Sequence, residues 1–141
     1  MAAIKGTKSA NGGFQNEKSI LKVTYDFAKD AGATGALDLF TAQDDIVITG
    51  FYAKVLTTCT SGGSMVLDVG VSGGDTDILL NDVAVASLVA GYMAAPTIVE
   101  GTPNVLPLPM KLADGGKIIQ TIGTAALTAG KIEYVFEFMK F

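Results

Sequence analysis

Lys131-Ile-Glu-Tyr-Val-Phe-Glu-Phe-Met-Lys140 is the stretch that decides the fold. Ile132, Tyr134, Phe136 and Phe138 alternate with Glu133, Val135, Glu137 and Met139, a period of two that places one set of side chains on each face of a strand. A helix would scatter these aromatics around its circumference. Moving toward the N-terminus, Thr124 to Gly130 reads as a turn region and Lys117 to Ile122 as another strand. At the far end of the chain the same period recurs from Ile20 onwards: Leu21, Val23, Tyr25 and Phe27 share one side, with Lys22, Thr24 and Asp26 on the other. First and last strands both carry aromatics in phase, so they are expected to share the core as neighbours.

Between these two strands the pattern stays β. Asp30 to Gly35 supplies a turn and Ala36 to Phe40 a short strand. Asp45 to Thr57 is a long run in which Ile46 and Ile48 hold one phase and Phe51, Ala53 and Val55 the other, so a bulge is expected at Gly50. Ser61-Gly-Gly-Ser64 reads as a hairpin turn into Met65 to Val71. After the loop Ser72 to Asp77 and the short run Ile78 to Leu80, the Ala/Val-rich stretch to Val89 admits two readings. Asn81 or Asp82 could cap a short helix, while Val83, Val85 and Val89 also suit a strand. Pro96, Pro103, Pro107 and Pro109 leave room only for edge strands or extended loop.

Seven to nine short strands, Gly-rich turns and no long amphipathic pattern predict an all-β, single-domain antiparallel β-sandwich, jelly-roll-like, over residues 19–141. Residues 1–18, rich in Gly, Ser, Asn and Lys, lack an apolar period and are expected to form a flexible N-terminal arm. At 141 residues there is material for one core. Apolar residues make up 49% and charged residues 17%, a thin polar coat that predicts a homo-oligomer, with an apolar surface joining sister subunits.

The ten basic residues are all Lys; the chain has no Arg, His or Trp. Without the guanidinium fork, and with a net charge of −4, nucleic-acid binding is not expected. The charge is uneven: from Asp44 to Glu100 seven acids face Lys54 alone, so one face should be acidic. The longest uncharged stretch, Val83 to Val99, is interrupted by Ser87, Gly91 and Pro96 and falls short of the roughly 20 apolar residues of a membrane span, so no membrane partner is expected. The N-terminus also lacks the apolar core of a signal peptide, which points to synthesis in the cytoplasm.

Chemistry is scarce. Cys59 has no His to activate it and reads as a small buried thiol. Gly115-Gly116-Lys117 and Gly130-Lys131 each place Lys after Gly, but Ile follows where a P-loop needs Ser or Thr, so both read as hairpin turns. Asp68, Asp75, Asp77 and Asp82 surround a Gly-rich loop, where alternating carboxylates can coordinate calcium; the twelve-residue calcium-loop pattern is absent and Asp-Thr-Asp is equally good turn chemistry. The reading is a non-enzyme, with no catalytic residue, no cofactor and no metal assigned. Tyr52, out of phase with Phe51, and the terminal Phe141 are candidates for contacts between subunits.

The series Ser61-Gly-Gly-Ser-Met-Val-Leu-Asp-Val-Gly70, Gly73-Gly-Asp-Thr-Asp77, Ala113-Asp-Gly-Gly-Lys-Ile-Ile-Gln-Thr121 and Leu127-Thr-Ala-Gly-Lys-Ile-Glu-Tyr-Val135 resembles the decoration, or cement, proteins of tailed-bacteriophage heads. The similarity spans roughly Ile46 to Lys140. It implies a small, often trimeric β-sandwich on the capsid exterior of the virion, with the major capsid protein as partner. Residues 1–18 would then reach across the shell, and the loops around Asp75 and from Pro96 to Pro109 would contact capsid or sister subunits. A tail or fibre-like virion component and a carbohydrate-binding β module are the alternative readings.

Overall fold

The structure, a computed structural model, describes residues 18–96 and 107–141. Among the described residues nine strands follow in order: β1 (Ser19–Asp26), β2 (Gly35–Thr41), β3 (Ile46–Ser61), β4 (Val66–Val71), β5 (Leu80–Ala84), β6 (Met93–Ala94), β7 (Met110–Leu112), β8 (Lys117–Gly123) and β9 (Leu127–Lys140). One helical turn, α1 (Phe27–Asp30), follows β1. No helix among the described residues is long and apolar enough to cross a membrane.

All pairings are antiparallel and they nest. β1 pairs β9, β2 pairs β8, β3 pairs β7 and β6, and β4 pairs β5. The chain thus behaves as one long hairpin with its tip between β4 and β5. Wrapping that hairpin adds the contacts β3 with β9 and β4 with β8, which close two sheets: β1-β9-β3 with β6 and β7 at its edge, and β2-β8-β4-β5. This is a jelly-roll β-sandwich, as the strand pattern predicted. The expected neighbours β1 and β9 run together from Ser19↔Phe138 to Asp26↔Lys131.

The core lies between the sheets. Tyr25, Ile48, Met65, Leu67, Ile118, Ile132, Tyr134 and Phe136 are almost wholly buried. Phe51 packs against Phe136 with ring centroids 5.1 Å apart and against Tyr134 at 6.2 Å; Phe40 meets Phe136 edge-on at 5.0 Å. Such pairs add about 0.5–1.5 kcal/mol each beyond area burial. The phase change in β3 occurs where expected, as a register shift against β9 between Ile48 and Gly50.

Four local expectations need correction. Ser61-Gly-Gly-Ser64 is not a hairpin: it carries the chain from β3 in one sheet to β4 in the other. A Gly-Gly signal specifies a reversal, while the partner strand is chosen by which faces bury apolar area, and β3 is already flanked by β9. The Ser61 hydroxyl accepts from the Gly63 amide at 3.2 Å and donates to the Ala126 carbonyl at 2.6 Å, joining this corner to the one between β8 and β9. Gly115-Gly116 is likewise a corner between β7 and β8, which lie in different sheets. Gly130 is not in a turn but inside β9, at φ 141, where a side chain would run into the Cys59 Sγ. Finally, Phe27 leaves the strand and opens α1, because the Asp26 carboxylate accepts from the Ala28 amide at 3.0 Å and caps the turn.

The ambiguous stretch is a strand first, with Asn81 and Asp82 inside it rather than capping a helix. β5 runs to Ala84, and a 3-10 turn, Val85–Ser87, follows without a side-chain cap. Its Val85 amide donates to the Met65 carbonyl at 3.0 Å, so the turn is held by tertiary contact.

Candidate interaction surfaces

Cys59 is buried at the end of β3, and burial pushes its thiol up to about 11, so it stays protonated and poorly nucleophilic near neutrality. The chain has no His to act as a base beside it. Among the described residues no group of three or more metal-ligating side chains converges. The surfaces are where the chemistry lies.

The first surface is the outer face of the β2-β8-β4-β5 sheet. Met65, Leu67 and Val69 turn inward, which sends Asp68 outward beside Gly70. The β4–β5 loop folds back over this face: the Val71 amide donates to the Asp75 carbonyl at 2.8 Å, and the backbone of Asp75 and Thr76 lies against Gly70 so closely that a Cβ there would collide with it. Asp68 Oδ1 accepts from the Asp82 amide, whose residue sits at φ 51, and Asp75 Oδ1 accepts from the Asp77 amide at 3.3 Å. The carboxylates of Asp68 in β4 and Asp75 in the loop are thus engaged by backbone amides. A hydrogen bond with Asp75, followed by desolvation and the charge of Asp75, raises the Asp77 carboxyl above its ordinary value. Asp38 adds a fifth acid; Lys117 is 3.0 Å from it. Four of the seven acids of the acidic middle, Asp68, Asp75, Asp77 and Asp82, thus belong to this sheet and its loop, whereas Asp44 pairs with Lys140 away from it.

The outer face of the opposite sheet is mixed in charge. Lys131 lies 3.7 Å from Asp26, and Lys18 3.3 Å from Glu137. Glu137 is held below its usual range by a hydrogen bond from Thr49, then by Lys18. Solvent screens these exposed pairs, so they contribute little to stability. At the edge of this sheet the short β6 leaves Leu56, Val89, Tyr92 and Met93 exposed together, an apolar strip that composition alone did not locate. Tyr52 is half-buried beside Val135, whereas Phe141 is 69% exposed with Lys111 Nζ 4.2 Å above its ring.

The sandwich is open along both sides, where edge strands of the two sheets face each other. Between β5 and β6 lies a cleft of about 300 Å³ lined by Leu79, Val83, Tyr92 and Ala95. Between β1 and β2 lies a groove of about 410 Å³ walled by Leu21, Phe40, Ile46 and Phe138, with Asp44 and Lys140, 3.1 Å apart, at its rim. Of the regions expected to make contacts, residues 1–17 and 97–106 lie outside the described residues, while the Asp75 loop folds back over Gly70 of β4.

No family model matches the chain, and no curated protein matches it. Solved structures do. A chain of the cyanophage Pam1 capsid asymmetric unit superposes with a TM-score of 0.64 at 13% identity, covering 96% of this chain and 94% of that one. A chain of the acid-stable capsid of Helicobacter pylori bacteriophage KHP30 gives 0.60 at 11% identity, with 86% of each covered. One from the capsid of Ralstonia phage GP4 gives 0.56 at 15% identity, covering 99% and 92%. The fold is shared with chains of bacteriophage capsids. The coverage is nearly complete in both directions, so each neighbour is a chain of about this size, and the likeness extends over the whole jelly roll.

Proposed function

We propose that this protein is a virion structural component, a capsid decoration protein that binds the outside of a tailed-bacteriophage head as a trimer and stabilises the lattice of the major capsid protein. The observation that carries this reading is the near end-to-end likeness to chains of similar length in three phage capsids. Charge favours the exterior. The acids on the β2-β8-β4-β5 face, with no Arg anywhere in the chain, would be repelled by DNA packed inside a shell, and they suit a basic patch on the shell's outer surface. A protein bridging neighbouring shell subunits binds only the assembled lattice and so stabilises it, and many copies add their contributions.

The test is to mix the purified protein with undecorated phage heads, sediment them and image the pellet. Saturable binding at symmetry-related positions on the outer surface is the expected result. Labelling confined to tails would replace this reading with that of a tail or fibre-like component. Binding on a glycan array without binding to heads would make the protein a carbohydrate-binding module.

A further inference from the structure

Apart from the tyrosines, Gln120 is the one buried polar residue among the described residues, at an inward position of β8 between Ile118 and Ile122. Packing alone would favour an aliphatic side chain there. The amide spends its Oε1 on the Tyr134 hydroxyl, and its Nε2 has no hydrogen-bond partner among the described residues. A donor so placed carries an uncompensated desolvation cost, which an acceptor brought to it would remove.

A cleft of about 180 Å³ leads to this amide. It opens between the end of β1 with α1 and the start of β2, at the opposite end of that side of the sandwich from the apolar groove. Asp30 and Thr34 stand exposed at its mouth, while Tyr25, Ile122 and Gln120 are buried at its floor. The Tyr25 hydroxyl is already engaged, donating to the Ala31 carbonyl at 2.6 Å, which leaves Nε2 of Gln120 as the unspent donor of the floor.

These features define a ligand. The cleft holds about six times the roughly 30 Å³ share of one water, yet is smaller than the roughly 300 Å³ at which drug-sized pockets begin. A molecule between glycerol and a single sugar ring suits that space. Asp30 at the mouth disfavours an anion, and an ammonium would offer Nε2 no acceptor. One oxygen of Asp30 accepts from the Asp26 amide at 2.9 Å, and the other is able to accept from a hydroxyl. A neutral polyol meets both ends, since each hydroxyl both accepts and donates.

We propose that this cleft binds a small neutral polyol, one sugar ring or smaller, with Gln120 Nε2 donating to a ligand hydroxyl at the floor and Asp30 accepting from another at the mouth. The site is a property of the folded chain and does not depend on the capsid role.

Gln120 reports on the site directly. The chain has only three glutamines, Gln15, Gln43 and Gln120, so the side-chain amide signal lost in Gln120→Met is identified at once by nuclear magnetic resonance. Full-length labelled protein is titrated with glycerol, D-glucose and D-galactose, and with sodium acetate at matched ionic strength. The expected result is a saturable shift of the Gln120 amide signal with at least one polyol, half-saturating on the order of 1–100 mM for so few ligand atoms, and none with acetate. Ala33→Leu narrows the exposed mouth and should weaken this binding at least about tenfold, with the β-sheet circular dichroism unchanged. Lack of a saturable Gln120 shift with all three polyols would overturn the proposal. An equal response to acetate would do the same, by removing the selectivity for neutral ligands. Binding of unchanged strength in Ala33→Leu would also overturn it, because the polyol would then sit elsewhere on the surface.

Discussion

The Tyr134 hydroxyl donates to Oε1 of Gln120 at 2.6 Å, joining β9 of one sheet to β8 of the other through the middle of the core. Gln120 is 1% exposed and its Nε2 has no hydrogen-bond partner among the described residues. A buried amide of this kind is tolerated because half of it is satisfied, and its cost shows when the bond is broken. Tyr134→Phe should destabilise the protein by about 1–3 kcal/mol, since it strands Oε1 as well. Gln120→Leu should also cost stability by unpairing the hydroxyl. The double variant Tyr134→Phe with Gln120→Leu should recover most of the loss, because both polar groups are then gone. Urea midpoints of the four proteins test this; strictly additive losses would mean that the pair is not coupled.

Gly70 is expected to be intolerant of any side chain. A Cβ there meets the backbone of Asp75 and Thr76, which cannot swing aside as a side-chain tip would. Gly70→Ala should lower stability by about 1–3 kcal/mol, the usual range for overpacking. Gly62→Ala, with nothing near its Cβ, should stay within about 0.5 kcal/mol of wild type. Thermal denaturation of the two variants side by side distinguishes a close approach from general sensitivity at glycine.

Alkaline pH should unfold the protein in a window that two buried groups define. Burial raises the Cys59 thiol from 9.0 to about 11 and the Tyr25 hydroxyl from 10.0 to about 12. In each case the folded state holds its proton more tightly than the unfolded state. The contribution is therefore fully present below the unfolded values and is lost as pH rises through the folded ones. Cys59→Ala should flatten the decline in urea midpoint between pH 9 and 11, although it lowers stability at neutral pH by leaving a small cavity. A decline of the same steepness in the variant would assign the alkaline loss to tyrosine alone.

If the apolar strip beside β6 joins sister subunits, the protein should scatter light as a trimer, and Met93→Lys should shift it toward monomer. Met93 is 56% exposed and its substitution removes no core contact, so the monomer should keep its thermal unfolding cooperativity. A monomer at all concentrations in the wild type would leave the strip without a sister-subunit role.

Head binding should depend on the N-terminal segment. A chain beginning at Ser19 is expected to bind phage heads at least about tenfold more weakly than the full chain, a loss of about 1.4 kcal/mol. Equal binding of the two forms, measured by sedimentation, would show that the segment makes no contact with the shell.

The alternation in β9 and β1 and the phase slip at Gly50 were both legible in the sequence. Each is written in consecutive residues, because a strand's two faces are set by its own period. The acidic middle was legible as a charge count, but the placing of four of its acids on one sheet and its loop was not. That required Met65, Leu67 and Val69 to bury inward and the Asp75 loop to fold over Gly70.

What the tertiary structure alone decided is which strand lies beside which. Ser61-Gly-Gly-Ser64 and Gly115-Gly116 look locally like hairpins, yet each crosses from one sheet to the other, because β3 and β8 gain more by pairing with distant β9 and β4 than with their neighbours in sequence. Gly130 reads as a turn residue until Cys59, some seventy positions away, is seen filling the space where its side chain would be. The sequence by itself determined that this chain is a sandwich of short strands. The nesting of those strands, and with it the acidic face, the apolar strip and the open groove, came from burial shared between segments far apart in the chain, which no local pattern encodes.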